Sequence, residues 1–483
     1  MGNLLGAPIT KKDTHKGSTE DGTINFAVTS MQGWRVHMED AHIVEPNLYA
    51  ALESNADGIA TEKLALPRHG LYAVFDGHGG SYSALYSGRN LCRVLSCQAP
   101  FVKYAKMHTD TTTTTAATSN EMVKLLETAL ADAFVEIDKE IACALQGNKV
   151  AAGDSPYHEP TNEEASEPAK DSAAETDQAM EMEEDGTAEA SNNNTSSSDA
   201  ALQESLADES DSGTTACVVL LTPEFVLCAN AGDSRGVLMQ NGNGNSKKVI
   251  PLSFDHKPDD ESEERRIRAA GGFVAGGRVE GDLAVSRGLG DFRFKTMNVV
   301  MKGGPVPEKS NATATTTTNN NMVGDEDHPD DEDDMPRTTA APSISSMGGV
   351  GRPVVTHPGD QKVSPIPDVL IHKRNVETDA FALIACDGIW DVQTNEQACN
   401  LTADLFNEGE TDLGLMCEEI CDVCLRLGSK DNMTSLILQF PAQTAKDDNK
   451  NNNAATVSSG PVGVLLRRQQ RESENSVAVA GSG

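Results

Sequence analysis

Hydrophobic and polar positions follow two periods along this 483-residue chain, with stretches between them that follow neither. The clearest helical period covers Ser119–Leu145. There Met122, Leu126, Ala129, Ala133, Ile137, Ile141 and Ala144 recur at three- and four-residue spacing and make one apolar stripe. Shorter helical patterns fall at roughly 259–271, 395–407 and 411–427. The runs TACVVLL and FVLCANAG are separated only by TPE and predict a pair of strands joined as a hairpin. FALIACDG and TSLILQF predict two further buried strands. Paired strands mixed with long helices imply an α+β layer structure, not a regular βαβ array.

Three blocks lack both periods: the acidic, Ser/Asn/Ala-rich stretch 148–211, the Thr/Asn-rich and then acidic stretch 303–362, and the tail 442–483. With few large apolar residues they bury too little surface to offset ordering entropy, and disorder is expected of them. The threonine run 111–115 reads as a smaller loop insertion. The expected organisation is an N-terminal segment 1–20, one domain over 21–441 interrupted by the two inserts, and the tail.

Charge follows the same division. Residues 148–211 hold 18 acids against Lys149 and Lys170, a balance of −16, and residues 325–334 hold 8 acids and no base. Together they account for −24 of the net −35, so the acidity is mostly segmental. No nucleic-acid partner is expected, and the chain is expected to be a monomer.

Ten cysteines in a long chain without a secretory segment point to a reducing, intracellular location, cytoplasm or nucleus. Cys417, Cys421 and Cys424 share a helical spacing, but no fourth zinc ligand lies nearby, and they read as small buried hydrophobes. No apolar run approaches the roughly 20 residues that span a bilayer. Gly2, behind the initiator Met and followed by Lys11 and Lys12, occupies the myristoylation position, although Gly6 stands where Ser or Thr is usual. Partial membrane association through that lipid is the expectation.

The chemistry sits at strand ends. VFDGHGG gives Asp76, LIACDGIWD gives Asp387 and Asp391, NAGDSRG gives Asp233, GSKDNMTS gives Asp431, and QGWRVHMEDAH gives Glu39 and Asp40 beside Arg35. One such acid is a turn. Several converging acids repel one another unless a cation joins them, and hard oxygen donors select Mg²⁺ or Mn²⁺. Two such ions acidify a shared water and direct it at phosphorus. His78 is placed to protonate a leaving oxygen, and Arg35 offers a planar fork for phosphate. Phosphomonoester hydrolysis is the implied reaction. No GxSxG, P-loop or HExxH motif competes.

Taken together, GWRVHMEDAH, VFDGHGG, DSGTTA, ANAGDSRG, DHKP, GRVEGDLAVSRGLGDF, IACDGIWDV and DNMTS resemble the PPM (type 2C) metal-dependent Ser/Thr protein phosphatases. They occur in family order and cover nearly all of 21–441 outside the inserts. The resemblance implies two antiparallel β-sheets packed as a sandwich and flanked by α-helices, with the metals at one end. It implies that Asp76 bridges two Mn²⁺ or Mg²⁺ ions. Glu39 and the Gly77 carbonyl would serve one ion, and Asp387 and Asp431 the other. Asp233 and Asp391 match the positions of a weaker third metal. Arg35 would hold the phosphate, His78 would act as the acid, and Arg278 would stand near the substrate. Thr214 and Asp291 fall in motifs that support these residues from behind.

Two departures bear on specificity. The family's usual RVNG is RVEG here, which places Glu280 and Asp282 beside the cleft, and the flap after Asp291 is enlarged by the block 303–362. The acidic insert with a Gly2 start is similar to gamma-type members of the family. Acidic arms and an acidic rim predict phosphoprotein substrates of basic character. The alternative, a pseudophosphatase serving as an acidic binding scaffold, would be marked by loss of a metal aspartate. Every one is present.

Overall fold

The longest apolar runs bury both of their faces, and this sets the architecture. Between Ala216 and Leu221, the side chains of Ala216, Val218 and Leu220 pack under helices, while Cys217, Val219 and Leu221 turn towards a second sheet. Such strands read as continuous hydrophobic runs because neither face meets water.

The computed structural model describes residues 4–55, 60–110, 116–146, 211–242, 246–303 and 355–443. In chain order the strands begin with β1 (Leu4–Ser18), β2 (Asn25–Arg35), β3 (Ala41–Glu45), β4 (Leu48–Ser54), β5 (Ala60–Leu66), β6 (Gly70–Phe75) and β7 (Gly77–His78). Helices α1 (Tyr82–Ser96), α2 (Ala99–Thr109) and α3 (Ala116–Leu145) come next. They are followed by β8 (Gly213–Thr214), β9 (Ala216–Leu221), β10 (Phe225–Ala231), β11 (Arg235–Asn241) and β12 (Lys247–Pro251). Helix α4 (Glu261–Ala269) precedes β13 (Val274–Ala275), β14 (Arg278–Val279) and β15 (Leu289–Gly290), and α5 (Met297–Lys302) follows. The chain closes with β16 (Asp368–Lys373), β17 (Asp379–Ala385), α6 (Asp387–Trp390), α7 (Asn395–Asn407), α8 (Leu413–Leu427) and β18 (Met433–Gln439).

One antiparallel sheet runs β1-β2-β18-β17-β11-β12 and a second runs β16-β10-β9-β6-β3. Phe26, Val28, Val74, Val219, Leu238, Ile384 and Leu436 fill the space between them. Helices α1 to α3 cover the outer face of the second sheet, where Leu91, Phe101, Phe134 and Ile141 meet Phe75 and Leu220. Helices α7 and α8 cover the first, where Phe406, Met416 and Ile420 meet Phe381 and Leu383. The expected α+β sandwich, layered α-β-β-α, is what forms.

The N-terminal segment needs correction. Residues 4–18 are an edge strand of the domain, paired with β2 from Ser18↔Asn25 to Lys12↔Met31. Its side chains are mostly polar, so it carries no apolar alternation. Its anchors are instead acids on α8 and at its N-cap: Lys12 with Asp422 at 2.6 Å, Lys16 with the capping Asp412 at 2.6 Å, and the Thr14 hydroxyl donating to Glu418 at 3.0 Å.

The second insert also ends earlier than 362. The chain from Val355 is described, and buried Gln361 accepts the Thr296 N–H through Oε1 at 2.5 Å. Most of the first insert, residues 304–354, 444–483, the threonine run 111–115 and Gly2 lie outside the described residues. Cys417, Cys421 and Cys424 are free and buried in the helix–sheet core, as the apolar reading expected. Among the described residues no helix is long and apolar enough to cross a membrane.

Candidate active site

Five strand ends meet at one end of the sandwich. β2 ends on Arg35 and leads into the loop carrying Glu39 and Asp40; β6 delivers Asp76; and β10 turns through Gly232, at φ 120°, to Asp233. β17 passes through Cys386 to Asp387 at the start of α6, which is capped by Asp391, and Asp431 lies two residues before β18. The turns hold these acids close. The Asp76 backbone is fixed by Thr214 Oγ1 and the Thr215 N–H, which donate to its carbonyl at 3.0 and 2.9 Å. At Gly77 a Cβ would sit 2.2 Å from the Glu39 carbonyl oxygen, so only glycine fits. The Gly80 N–H donates to Glu39 Oε1 at 2.8 Å, and the Glu39 N–H donates to Asn432 Oδ1 at 2.9 Å.

The electrostatics show how tightly the acids crowd. Burial, then the charges of Asp387, Asp40, Asp431 and Asp233, pushes the Asp76 carboxyl well above the usual carboxylate range. Burial and then Asp233, Asp431 and Asp391 do the same to Asp387. Asp40 is pushed up to about 7, chiefly by burial, although Thr434 Oγ1 donates to its Oδ2 at 2.7 Å. Burial also raises Asp391, against the pull of Lys257.

Two cations answer this charge directly. The Arg35 guanidinium pairs with Asp431, and Lys257 Nζ donates to Asp233 Oδ2 at 2.6 Å. Asp40 Oδ1 and Asp387 Oδ1 are buried with no hydrogen-bond partner. Ligand atoms of Asp40, Asp76 and Cys386 lie within 4.8 Å of one another. Buried carboxylate oxygens that lack donors and repel their neighbours are what a hard divalent cation satisfies. The residues fit the implied ions.

His78 lies beside this cluster on the short sheet β15-β8-β7. Its Nε2–H donates to Asp291, with oxygens at 2.9 and 3.0 Å. Burial opposes the charged imidazole, yet the Asp291 carboxylate, by charge and hydrogen bond, holds its pKa above the ordinary histidine value. Nδ1 is thereby the ring nitrogen left for other work.

The structure thus brings together Arg35, Glu39, Asp76, Gly77, His78, Asp233, Asp387, Asp391 and Asp431. Arg278 is different. It is exposed on the β13–β14 hairpin, where its Nη1 donates to the Asp282 carbonyl at 2.6 Å, and among the described residues it makes no hydrogen bond to an acid of the cluster. The rim is also less acidic than its sequence suggests, because Glu280 pairs with Lys362 at 2.6 Å and Asp282 pairs with Arg293. Lys257 escaped sequence reasoning although the DHKP motif contains it. Asp40 was visible as an acid, but nothing in its spacing marked it as buried.

Two helix-covered antiparallel sheets packed as a sandwich, with an acid cluster at one end, make up the architecture. The family model described as protein phosphatase 2C matches residues 24–147 and 158–433, and the chain belongs to that family. It is a protein serine/threonine phosphatase. It is 28% identical over 444 residues to "Protein phosphatase 2C homolog 2" of Aspergillus flavus, spanning 91% of this chain and 68% of that protein. It is 29% identical over 441 residues to human "Protein phosphatase 1A", spanning 91% of this chain and 76% of the relative. A solved serine-threonine phosphatase 2C from Toxoplasma gondii shares the fold at a TM-score of 0.50 and 16% identity, covering 91% of this chain and all of that one.

Proposed function

We propose that this cleft hydrolyses phosphoserine and phosphothreonine on proteins with the help of two Mn²⁺ or Mg²⁺ ions. The observation that carries the reading is the set of buried, mutually repelling carboxylates with orphaned oxygens at Asp40 and Asp387, beside Arg35 and His78. Asp76 would be shared between the ions. Glu39 and the Gly77 carbonyl would serve one, Asp387 and Asp431 the other, and Asp233 and Asp391 a weaker third. When bound, the ions supply Lewis acidity that neutralises phosphoryl charge and acidifies water.

The chain's own residues do the rest. Arg35 spends one arm on Asp431, which locks the guanidinium plane and leaves its other donors for phosphate oxygens. His78, held by Asp291 through Nε2, carries a proton on Nδ1 for the departing serine or threonine oxygen.

The test is release of phosphate from a phosphothreonine peptide in Mn²⁺, in Mg²⁺ and in EDTA. Activity is expected with either ion and none in EDTA, while EDTA-resistant activity would refute the reading. All metal-site acids are present, which leaves the pseudophosphatase alternative without support. The gamma-type likeness and a Gly2 myristate remain part of the proposal, with cytoplasmic and membrane pools expected. Failure to incorporate labelled myristate would remove the lipid.

A further inference from the structure

We propose that Asp138 and Lys295, a buried ion pair outside the acidic cluster, are positioning residues for His78 and act on it through the backbone of Asp291. The inference rests on the reading of His78 as proton donor. Asp291 is held in the left-handed region, at φ 52° and ψ 39°, which a residue with a Cβ adopts only where its surroundings over-determine it. In that conformation its carboxylate lies over Gly213, where a Cβ would come within 2.3 Å of an Asp291 oxygen, and both oxygens point at His78 Nε2.

The restraints come from two sides. From the residue before β8, the Ser212 carbonyl accepts the Asp291 N–H at 3.1 Å. From α3, Asp138 Oδ1 accepts the N–H of Gly290 at 2.8 Å, one residue before Asp291. Lys295 Nζ, four residues beyond Asp291, donates to the same Asp138 oxygen at 2.7 Å and to the Gly288 carbonyl at 2.9 Å. The turn 288–295 is therefore stapled to the helix on both flanks of the strained residue. The side chains are 2% and 0% exposed.

A buried ion pair is a poor stability device, since an apolar pair of similar volume serves as well or better. What an apolar pair lacks is directed hydrogen bonding to the backbone at Gly288 and Gly290. That is the function the geometry gives these two charges.

The test uses the full chain in Mn²⁺ and compares wild type, His78→Gln, Lys295→Met, Asp138→Asn and the double variant Asp138→Leu/Lys295→Met. Each is assayed for kcat and KM on a phosphothreonine peptide and on an aryl phosphate, whose good leaving group needs little protonation, and for thermal unfolding. The staple variants should lose about 10²-fold in kcat on the peptide, with KM nearly unchanged and a clearly smaller loss on the aryl phosphate, reproducing the His78→Gln pattern. The double variant should regain the thermal stability lost by the singles without regaining kcat.

Equal losses on both substrates, wild-type kcat in the double variant, or a double variant that fails to fold would each show a merely structural pair and overturn the inference. If His78→Gln itself shows no difference between the substrates, the proton-donor reading falls. If His78→Gln discriminates and the staple variants do not, only the present inference falls.

Discussion

Replacing Asp387 by asparagine should stabilise the metal-free protein while stripping it of most of its stabilisation by metal. Asp387 is half-buried, its Oδ1 is fully buried with no donor, and the charges of Asp233, Asp431 and Asp391 act on it. Like charges about 4 Å apart repel by ~4 kcal/mol at an effective dielectric constant of 20. Shared protons relieve part of this, since the Asp76 and Asp387 carboxyls are both pushed far up. An isosteric amide removes one charge and adds a donor, so the gain without metal should be ~1–3 kcal/mol, the cost of an unsatisfied buried group.

With metal the sign turns. At an ion concentration a hundredfold above Kd, wild type gains about 2.7 kcal/mol, and a variant binding a hundredfold more weakly gains only ~0.4 kcal/mol. Urea unfolding in EDTA and in Mn²⁺ reads both quantities. The emission of Trp390, on the same short helix as Asp387, gives a local probe and circular dichroism a global one. A variant less stable than wild type in EDTA, or one that keeps the full metal increment, would refute the account of the cluster as a metal site held against its own repulsion.

Three further outcomes are expected. Gly77→Ala should cut turnover by at least ~10²-fold, because its Cβ would push the Glu39 backbone out of place, and full activity in the variant would contradict the close approach. His69 is buried, with Nδ1 against the Pro67 carbonyl and Nε2 against the Tyr104 hydroxyl at 2.6 Å, and burial lowers its pKa from 6.5 to about 4. The unfolded chain then binds the proton first as pH falls, so stability is complete above pH 6.5 and drops by up to ~3 kcal/mol on the way to pH 4. Burial raises Glu45 to about 7, which acts with the opposite sign over part of that range, so the measurement is the difference in urea stability between wild type and His69→Asn across pH. Deleting 150–208 should leave aryl phosphate turnover unchanged and lower kcat/KM for a lysine- and arginine-flanked phosphopeptide at low salt; equal effects on both would end the idea of steering by the acidic block.

Where apolar pattern and packing coincide, sequence and structure agree closely. The stripe from Met122 to Ala144 is α3, residues 395–407 are α7 to the residue, and the runs at 216–221 and 225–231 do pair as a hairpin. The site acids were legible for a different reason: charge at the end of a fully buried strand has no structural excuse. Edge strand β1 was not legible, because its polar face is answered by acids about 400 residues away on α8 and at its N-cap. The β4–β5 hairpin failed to show for a similar reason, with Glu53 and Glu62 side by side across it. Arg278 was assigned by motif alone, and a motif fixes its hairpin but not where the guanidinium points. The rim acids misled in the same way, since Lys362 lies 82 residues from Glu280 and no local pattern announces that pair.

The acids are drawn from both sheets, and this bears on how the cleft can exist at all. Arg35, Asp387 and Asp431 extend from strands of the first sheet, and Asp76 and Asp233 from strands of the second. Neither sheet alone assembles the acid cluster; it forms only as the sandwich closes on Val28, Val74, Val219, Ile384 and Leu436. Each such fully buried side chain contributes roughly 1.5–3 kcal/mol, and this burial works against the repulsion of the cluster. The raised pKa values of Asp76 and Asp387 favour their protonated forms where no cation is bound, which relieves their repulsion as the sandwich closes. Metal binding must then release protons, and metal affinity must rise with pH through the range in which these carboxyls titrate.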